Sequence, residues 1–198
     1  MGWKMNGISV GLAVRLALLG AILGPLLDRM HAWTGAIGYH TPLMPWGVPW
    51  WVSIVYAGAA LGIGLTHPVL DKWLGKQQRV PITGWRVGAA FLLLVLLWAA
   101  SGLLPLGNAA VALFIFVGSA ASFWAFDRTW QGAVMAVGTG VGGVIVEATL
   151  VRLGLFYHRS PTIWGLPLYL PCLYFAGSVA IGNLARVWRA NAARVPFT

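Results

Sequence analysis

Only four acids occur among the 198 residues, Asp28, Asp71, Asp127 and Glu147, separated by 43, 56 and 20 positions. At those distances the sequence places no two carboxylates together to hold a magnesium ion or to divide acid and base roles. The histidines, His31, His40, His67 and His158, are equally dispersed, and no two stand four residues apart, the spacing that aims two imidazoles at one metal. Cys172 is the lone cysteine, which excludes a disulfide framework and every multi-cysteine metal site. No Gly-x-Ser-x-Gly elbow and no glycine-rich phosphate loop with its lysine is present. The chain reads as a non-enzyme with neither metal nor cofactor. His67, followed by Pro68, reads as a loop residue at a helix end.

Two acids can still act singly. Glu147 falls inside a long apolar run, where an ionisable group must face water, a partner or a cavity. Its plain alternative is an ion pair with Arg152 one turn away. Asp127 opens the turn Asp127-Arg128-Thr129 between two such runs. There the bland reading is an N-cap of the following helix, whose free N–H groups and dipole favour an anion.

The elements that must position these groups are membrane spans. Residues of hydrophobic type make up 59% of the chain and charged ones 9%, against about a quarter charged in globular chains. Stretches with at most one charge, each matched against the roughly 20 apolar residues needed to cross hydrocarbon, give six spans at about 8–27, 48–65, 86–104, 109–126, 132–151 and 166–185; the first is a span despite Arg15, which lies near enough to its inner end for its stem to snorkel and is left out of the count of basic residues by side. The fold class predicted is all-α, one bundle of six transmembrane helices as a single domain over 1–198. His31, His40, Pro42, Pro45 and Pro49 make the stretch after the first span a loop, and Pro105, Gly107 and Asn108 turn the third span into the fourth.

Six spans put both termini on one side. Nine basic residues (Lys4, Lys72, Lys76, Arg79, Arg86, Arg128, Arg186, Arg189, Arg194) then fall on that side against three opposite (Arg29, Arg152, Arg159), so both termini and the 66–85 loop are expected in the cytoplasm. The net charge of +9 serves orientation and anionic lipid and requires no nucleic acid. Trp46, Trp50, Trp51, Trp73, Trp85, Trp130, Trp164 and Trp188 fall at span ends, as interfacial belts do. Gly138-x-x-x-Gly142, with Gly58 and Gly62, offers small-residue faces for close helix packing, within one bundle or between copies in a homo-oligomer.

At the turn after the fourth span the sequence resembles a known family. Trp124-Ala125-Phe126-Asp127-Arg128-Thr129 is similar to the W-x-F-D-R-S turn of the Insig proteins, membrane sterol sensors of animal cells. Leu170-Pro171-Cys172-Leu173-Tyr174-Phe175-Ala176-Gly177 and Gly182-Asn183-Leu184-Ala185-Arg186 resemble the family's L-P-C-x-x-F-A-G and G-N-I-G-R patterns. Trp50-Trp51-Val52, His67-Pro68 with Asp71 and Leu74-Gly75, and Tyr157 with Ser160-Pro161 follow the same order, so the likeness runs from about Trp50 to Arg186. Ala185 stands where the family has a second glycine, and the family's glutamine early in span four falls near Ala110.

The resemblance implies a bundle without catalytic activity that holds a sterol or diacylglycerol-type lipid in an intramembrane cavity and couples to another membrane protein. In animals those partners are Scap and HMG-CoA reductase. It implies partner or ligand coupling at Asp127 with Arg128, and helix packing at Gly177 and Gly182. The cavity is expected to be apolar, lined mainly by spans one to five and open sideways to the bilayer. A small oligomeric transporter or channel using Glu147 is the alternative. Ten Arg against three Lys, with abundant Ala, Gly and Val, point to a GC-rich bacterial genome and so to a bacterial cell membrane.

Overall fold

A computed structural model describes residues 4–5, 8–75 and 80–192; Lys76, Arg79 and Arg194 of the basic count lie outside the described residues. Six helices, each long and apolar enough to cross a membrane, carry the fold. They are α1 Val10–Thr34, α2 Trp50–Trp73, α3 Gly84–Leu103, α4 Asn108–Phe126, α5 Trp130–Arg152 and α6 Leu170–Ala192. Short antiparallel pairs add β1 Lys4–Met5 with β2 Ile8–Ser9, and β3 Ile37–Tyr39 with β4 Phe156–His158.

Helices outrun the charge-free stretches that announced them. α1 continues past Leu27 through Asp28 and His31 to Thr34, and α2 continues past Leu65 to include His67 and Pro68. His67 is therefore not a loop residue; it is fully buried within α2. Hydropathy marks hydrocarbon, whereas a helix goes on while its backbone bonds are satisfied. α6 begins later than expected, at Leu170, because Gly165 takes φ +82° and Thr162 and Ile163 bond back to Leu166. Pro171 then sits in the first turn of α6, where its missing N–H costs nothing.

α1 and α5 end in the same way. Gly35 (φ +71°) and Gly154 (φ +68°) follow the last turns, and the next amide reaches back five residues, Ala36 N to His31 O at 2.8 Å and Leu155 N to Leu150 O at 3.1 Å. This is the Schellman closure that a glycine in the left-handed region permits. Each closure feeds one strand of the β3–β4 ribbon, registered Ile37 to His158, Gly38 to Tyr157 and Tyr39 to Phe156. Gly38 is required there, since a Cβ would lie 2.5 Å from the Tyr157 ring.

The main core joins α3, α4 and α6 through Leu94, Leu97, Val111, Ile115, Leu173 and Ala180. α6 is the most enclosed helix and α5 the least. A second, small cluster packs Leu12 and Leu16 of α1 against Ala185, so the alanine in place of glycine is itself fully buried between helices.

Candidate functional site

Two polar clusters lie at opposite ends of the bundle. The one at the end where α1 begins and α6 finishes, called inner, is centred on Arg186 of α6. Its Nη2 donates to Asp71 Oδ1 at 3.0 Å and its Nε to Asp71 Oδ2 at 3.2 Å, a two-point grip, while Nη1 donates to Asp127 Oδ2 at 3.1 Å. Planar guanidinium forks suit such paired carboxylates. Asn183 ties the group to the end of α4 by donating to Phe126 O at 2.9 Å.

Asp127 is 2% exposed and closes α4 rather than capping α5. The N-cap of α5 is Thr129, whose hydroxyl accepts from Gly132 N at 2.9 Å. Asp127 acts one step earlier, taking the Thr129 N–H at 3.0 Å and its hydroxyl proton and so fixing the residue that does the capping. Gly132 is the clearance this needs, because a Cβ there would meet Asp127 Oδ2 at 2.2 Å. Arg128 takes no part in holding Asp127. It adopts φ 59°, lies exposed and stacks its guanidinium 4.6 Å from the Trp124 ring centre. His67, one turn before Asp71, fits under Gly182, where a Cβ would lie 2.2 Å from Nε2; both of its ring nitrogens lack partners among the described residues. A pocket of about 640 Å³ opens beside this cluster, lined by Asp71, Lys72, Asp127, Asn183, Arg186 and Arg189 among others.

The outer cluster surrounds Glu147 and includes Asp28, an acid to which the sequence assigned no role. Glu147 does not pair with Arg152; it accepts from His158 Nε2 at 2.9 Å and from the Tyr174 hydroxyl. Asp28 of α1 accepts from the Tyr39 and Tyr56 hydroxyls, both at 2.7 Å. Burial first, then the Asp28 carboxylate beside it, push the Tyr39 phenol far above its usual range, so it stays a donor.

Between the clusters lies a cavity of about 580 Å³ walled by α1, α2, α3, α5 and α6, with Asp28, Glu147, Tyr56, Tyr174 and Trp98 at its outer end. α6, not α4, completes the wall, and Ala110 lies exposed on α4, away from it. Gly58, Gly62, Gly138 and Gly142 line this cavity, and a Cβ on any of them would meet nothing within 4 Å among the described residues. Close packing within this bundle is therefore not their role. Their missing side chains leave room, and tight approach of α5 to α6 falls instead on Gly140 against Pro171 O and on Gly143 against the Tyr174 ring. Gly177 also faces the cavity, with only an ordinary 4.0 Å contact to Leu94, whereas Gly182 is a close-packing glycine. Ile54 and Val146 line the cavity yet remain 62% and 45% exposed, which puts its mouth between α2 and α5. Trp51 has left the interfacial belt to line it, donating to Thr41 at 3.1 Å, while Trp46, Trp50, Trp73, Trp85, Trp130 and Trp164 stay exposed and Trp188 packs beside Ala185.

No family model matches the chain. It is 28% identical over 138 residues to the insulin-induced gene 1 protein of Danio rerio, covering 69% of this chain and 55% of that one. It is 26% identical over 186 residues to the insulin-induced gene 2 protein of Xenopus tropicalis, covering 92% and 84%. The chain thus spans little more than half the length of the Danio rerio relative. Its fold is similar to the crystal structure of a mycobacterial Insig homologue, MvINS from Mycobacterium vanbaalenii, with a TM-score of 0.83, 26% identity and coverage of 98% of this chain and 100% of that one. MvINS has also been crystallised as a cross-linked trimer.

Proposed function

We propose, from the premise that this integral membrane chain is an Insig homologue, that it is a sterol-sensing type of protein that holds a sterol or diacylglycerol-type lipid between its helices and performs no catalysis. The observation that carries the reading is the cavity of about 580 Å³, walled largely by Leu, Ile, Val, Ala and Gly and open between α2 and α5. Such walls favour a ligand through hydrophobic burial, at about 0.8 kcal/mol per CH₂ group. A channel or transporter would need the two ends joined, and the cavity and the inner pocket share no lining residue among those described.

The inner cluster is the coupling surface in this reading. Asp127 and Arg128 lie where α4 hands over to α5, and the adjacent pocket is open to a second membrane protein. A homo-oligomer belongs to the same reading, supported by the trimer in which MvINS was cross-linked. The membrane is a bacterial cell membrane, favoured by the mycobacterial homologue, with both termini and the 66–85 segment in the cytoplasm.

Lipid extraction and native mass spectrometry of the purified chain test the ligand: one stoichiometric sterol or diacylglycerol-type lipid is expected, and preference for a short water-soluble solute would overturn it. Orientation is tested in a Cys172→Ala background with an impermeant maleimide on intact cells. Arg159→Cys should be modified and Lys72→Cys protected.

A further inference from the structure

The helix pair α1–α2 recurs as α5–α6. Gly24-x-x-x-Asp28 on α1 and Gly143-x-x-x-Glu147 on α5 are each followed, seven positions after the acid, by the helix-ending glycine, Gly35 or Gly154. Each acid takes one hydrogen bond from the strand that follows, Tyr39 or His158, and one from a tyrosine on the next helix, Tyr56 or Tyr174. In the ribbon Gly38 pairs with Tyr157, while Ile37 and Tyr39 pair with His158 and Phe156, the exchange made by a two-fold axis between Gly38 and Tyr157. Trp98 of α3 stands on the same axis, its ring centre 6.4 Å from Tyr56 and 6.5 Å from Tyr174. An approximate two-fold along the bundle therefore carries α1 onto α5 with an offset of 119 positions, Asp28 to Glu147, and α2 onto α6 with an offset of 118, Tyr56 to Tyr174.

α3 breaks this symmetry. It packs on α1 and α6 on one side of the axis, where Leu27 of α1 and Ala176 and Ala180 of α6 share a core with Leu94 and Leu97, and His31 stacks on Trp98 at 5.1 Å. A Cβ on Gly177 would reach Leu94 at an ordinary 4.0 Å. The offsets carry Leu27 and His31 onto Val146 and Leu150 of α5, and Ala176, Gly177 and Ala180 onto Gly58, Ala59 and Gly62 of α2. All five of these mates line the cavity at its mouth between α2 and α5. There the seat is prepared and no helix of this chain fills it: Val146 is 45% exposed where Leu27 is 4% exposed, and a Cβ on Gly58 or Gly62 meets nothing within 4 Å among the described residues. Glycine weakens a helix interior, and in a membrane small residues collect where another helix comes close. On α6 the matching small residues receive α3.

We propose that the mouth between α2 and α5 is the seat of one transmembrane helix of another membrane protein, docked there as α3 docks between α1 and α6. The proposal rests on the reading that this chain couples to a second membrane protein, and it adds a contact within the hydrocarbon to the one at the inner cluster. The docking helix is apolar, turns leucine-sized side chains toward Gly58, Ala59 and Gly62, and is small opposite Trp98, whose ring already fills the centre. The probe is a synthetic peptide of residues 84–103 carrying Leu94→Cys, which sets its thiol where Leu94 meets Gly177, and Trp98→Ala, which clears the occupied centre. The full chain, Cys172→Ala with Ala59→Cys at the mate of Gly177, is mixed with the peptide in phosphatidylcholine–phosphatidylglycerol nanodiscs and oxidised.

Disulfide-linked adduct at Ala59→Cys should exceed that at Val117→Cys, an exposed site equally far into α4 from its start, at least fivefold. Gly62→Leu, whose side chain occupies the seat, should remove the excess. Equal adduct at the two positions, an excess that survives Gly62→Leu, or equal linkage of a peptide with the same residues in scrambled order overturns the proposal. Linkage of Ala59→Cys chains to one another in place of the peptide assigns the mouth to a second copy and overturns it too. Native mass spectrometry of the same nanodiscs reports the cavity lipid separately. Retained lipid without adduct sinks the helix seat and leaves the lipid-binding reading standing; adduct without lipid does the reverse.

Discussion

The two ends of the bundle use the same residue types to opposite ends. At the inner end Asp71 and Asp127 share one cation, Arg186, so both acids are answered from within the chain. At the outer end Asp28 and Glu147 meet three tyrosines and one histidine, which steady them without any fixed positive charge. A carboxylate's role is set by what answers it. The inner pair locks helices together, and the outer pair is left facing the cavity.

Removing the cation from the inner end should have the largest effect. Arg186→Met leaves two acids uncompensated, and a loss of about 3–5 kcal/mol is expected, measured by thermal unfolding in detergent; a loss below 1 kcal/mol would erase the distinction drawn here. Asp127→Asn keeps an acceptor for Thr129 but leaves the guanidinium a single carboxylate, which should cost about 1–3 kcal/mol. If Asn were silent, the charge would be unused and only the turn would matter. At the outer end, Tyr56→Phe and Tyr174→Phe each delete one hydrogen bond and should cost about 0.5–1.5 kcal/mol apiece. Unequal losses would break the equivalence of the two halves. Smallest of all, Gly142→Leu should leave stability within about 0.5 kcal/mol, since its Cβ meets nothing, yet weaken lipid retention.

Six helices were legible because a long apolar run has few other uses. Their ends were not, since Asp28 and His67 sit on continuing helix whose polar groups are answered by other elements. Glu147 was recognisable as a charge in an apolar run, but its partners lie on β4 and α6, and a three-residue strand leaves no periodic trace. Arg152 was simply the nearest candidate in sequence. Asp127 read as the cap of α5, whereas Thr129 does the capping: Asp and Thr both cap helices, and only geometry tells which hydroxyl or carboxylate meets Gly132. The repeated glycine, acid and glycine of α1 and α5 was present in the sequence throughout. Flanking residues that differ hid it, because the membrane demands apolarity there and accepts many residues.

The β3–β4 ribbon also dictates an order of assembly. Ile37 leaves the ribosome early and His158 late, so α1 and α2 must enter the bilayer long before β3 can find its partner strand. Throughout that interval Asp28 has only its own tyrosines, and the Glu147 half of the site does not yet exist. Insertion of α5 and α6 is therefore the step that gives a helical hairpin with a stray acid the remaining walls of its cavity.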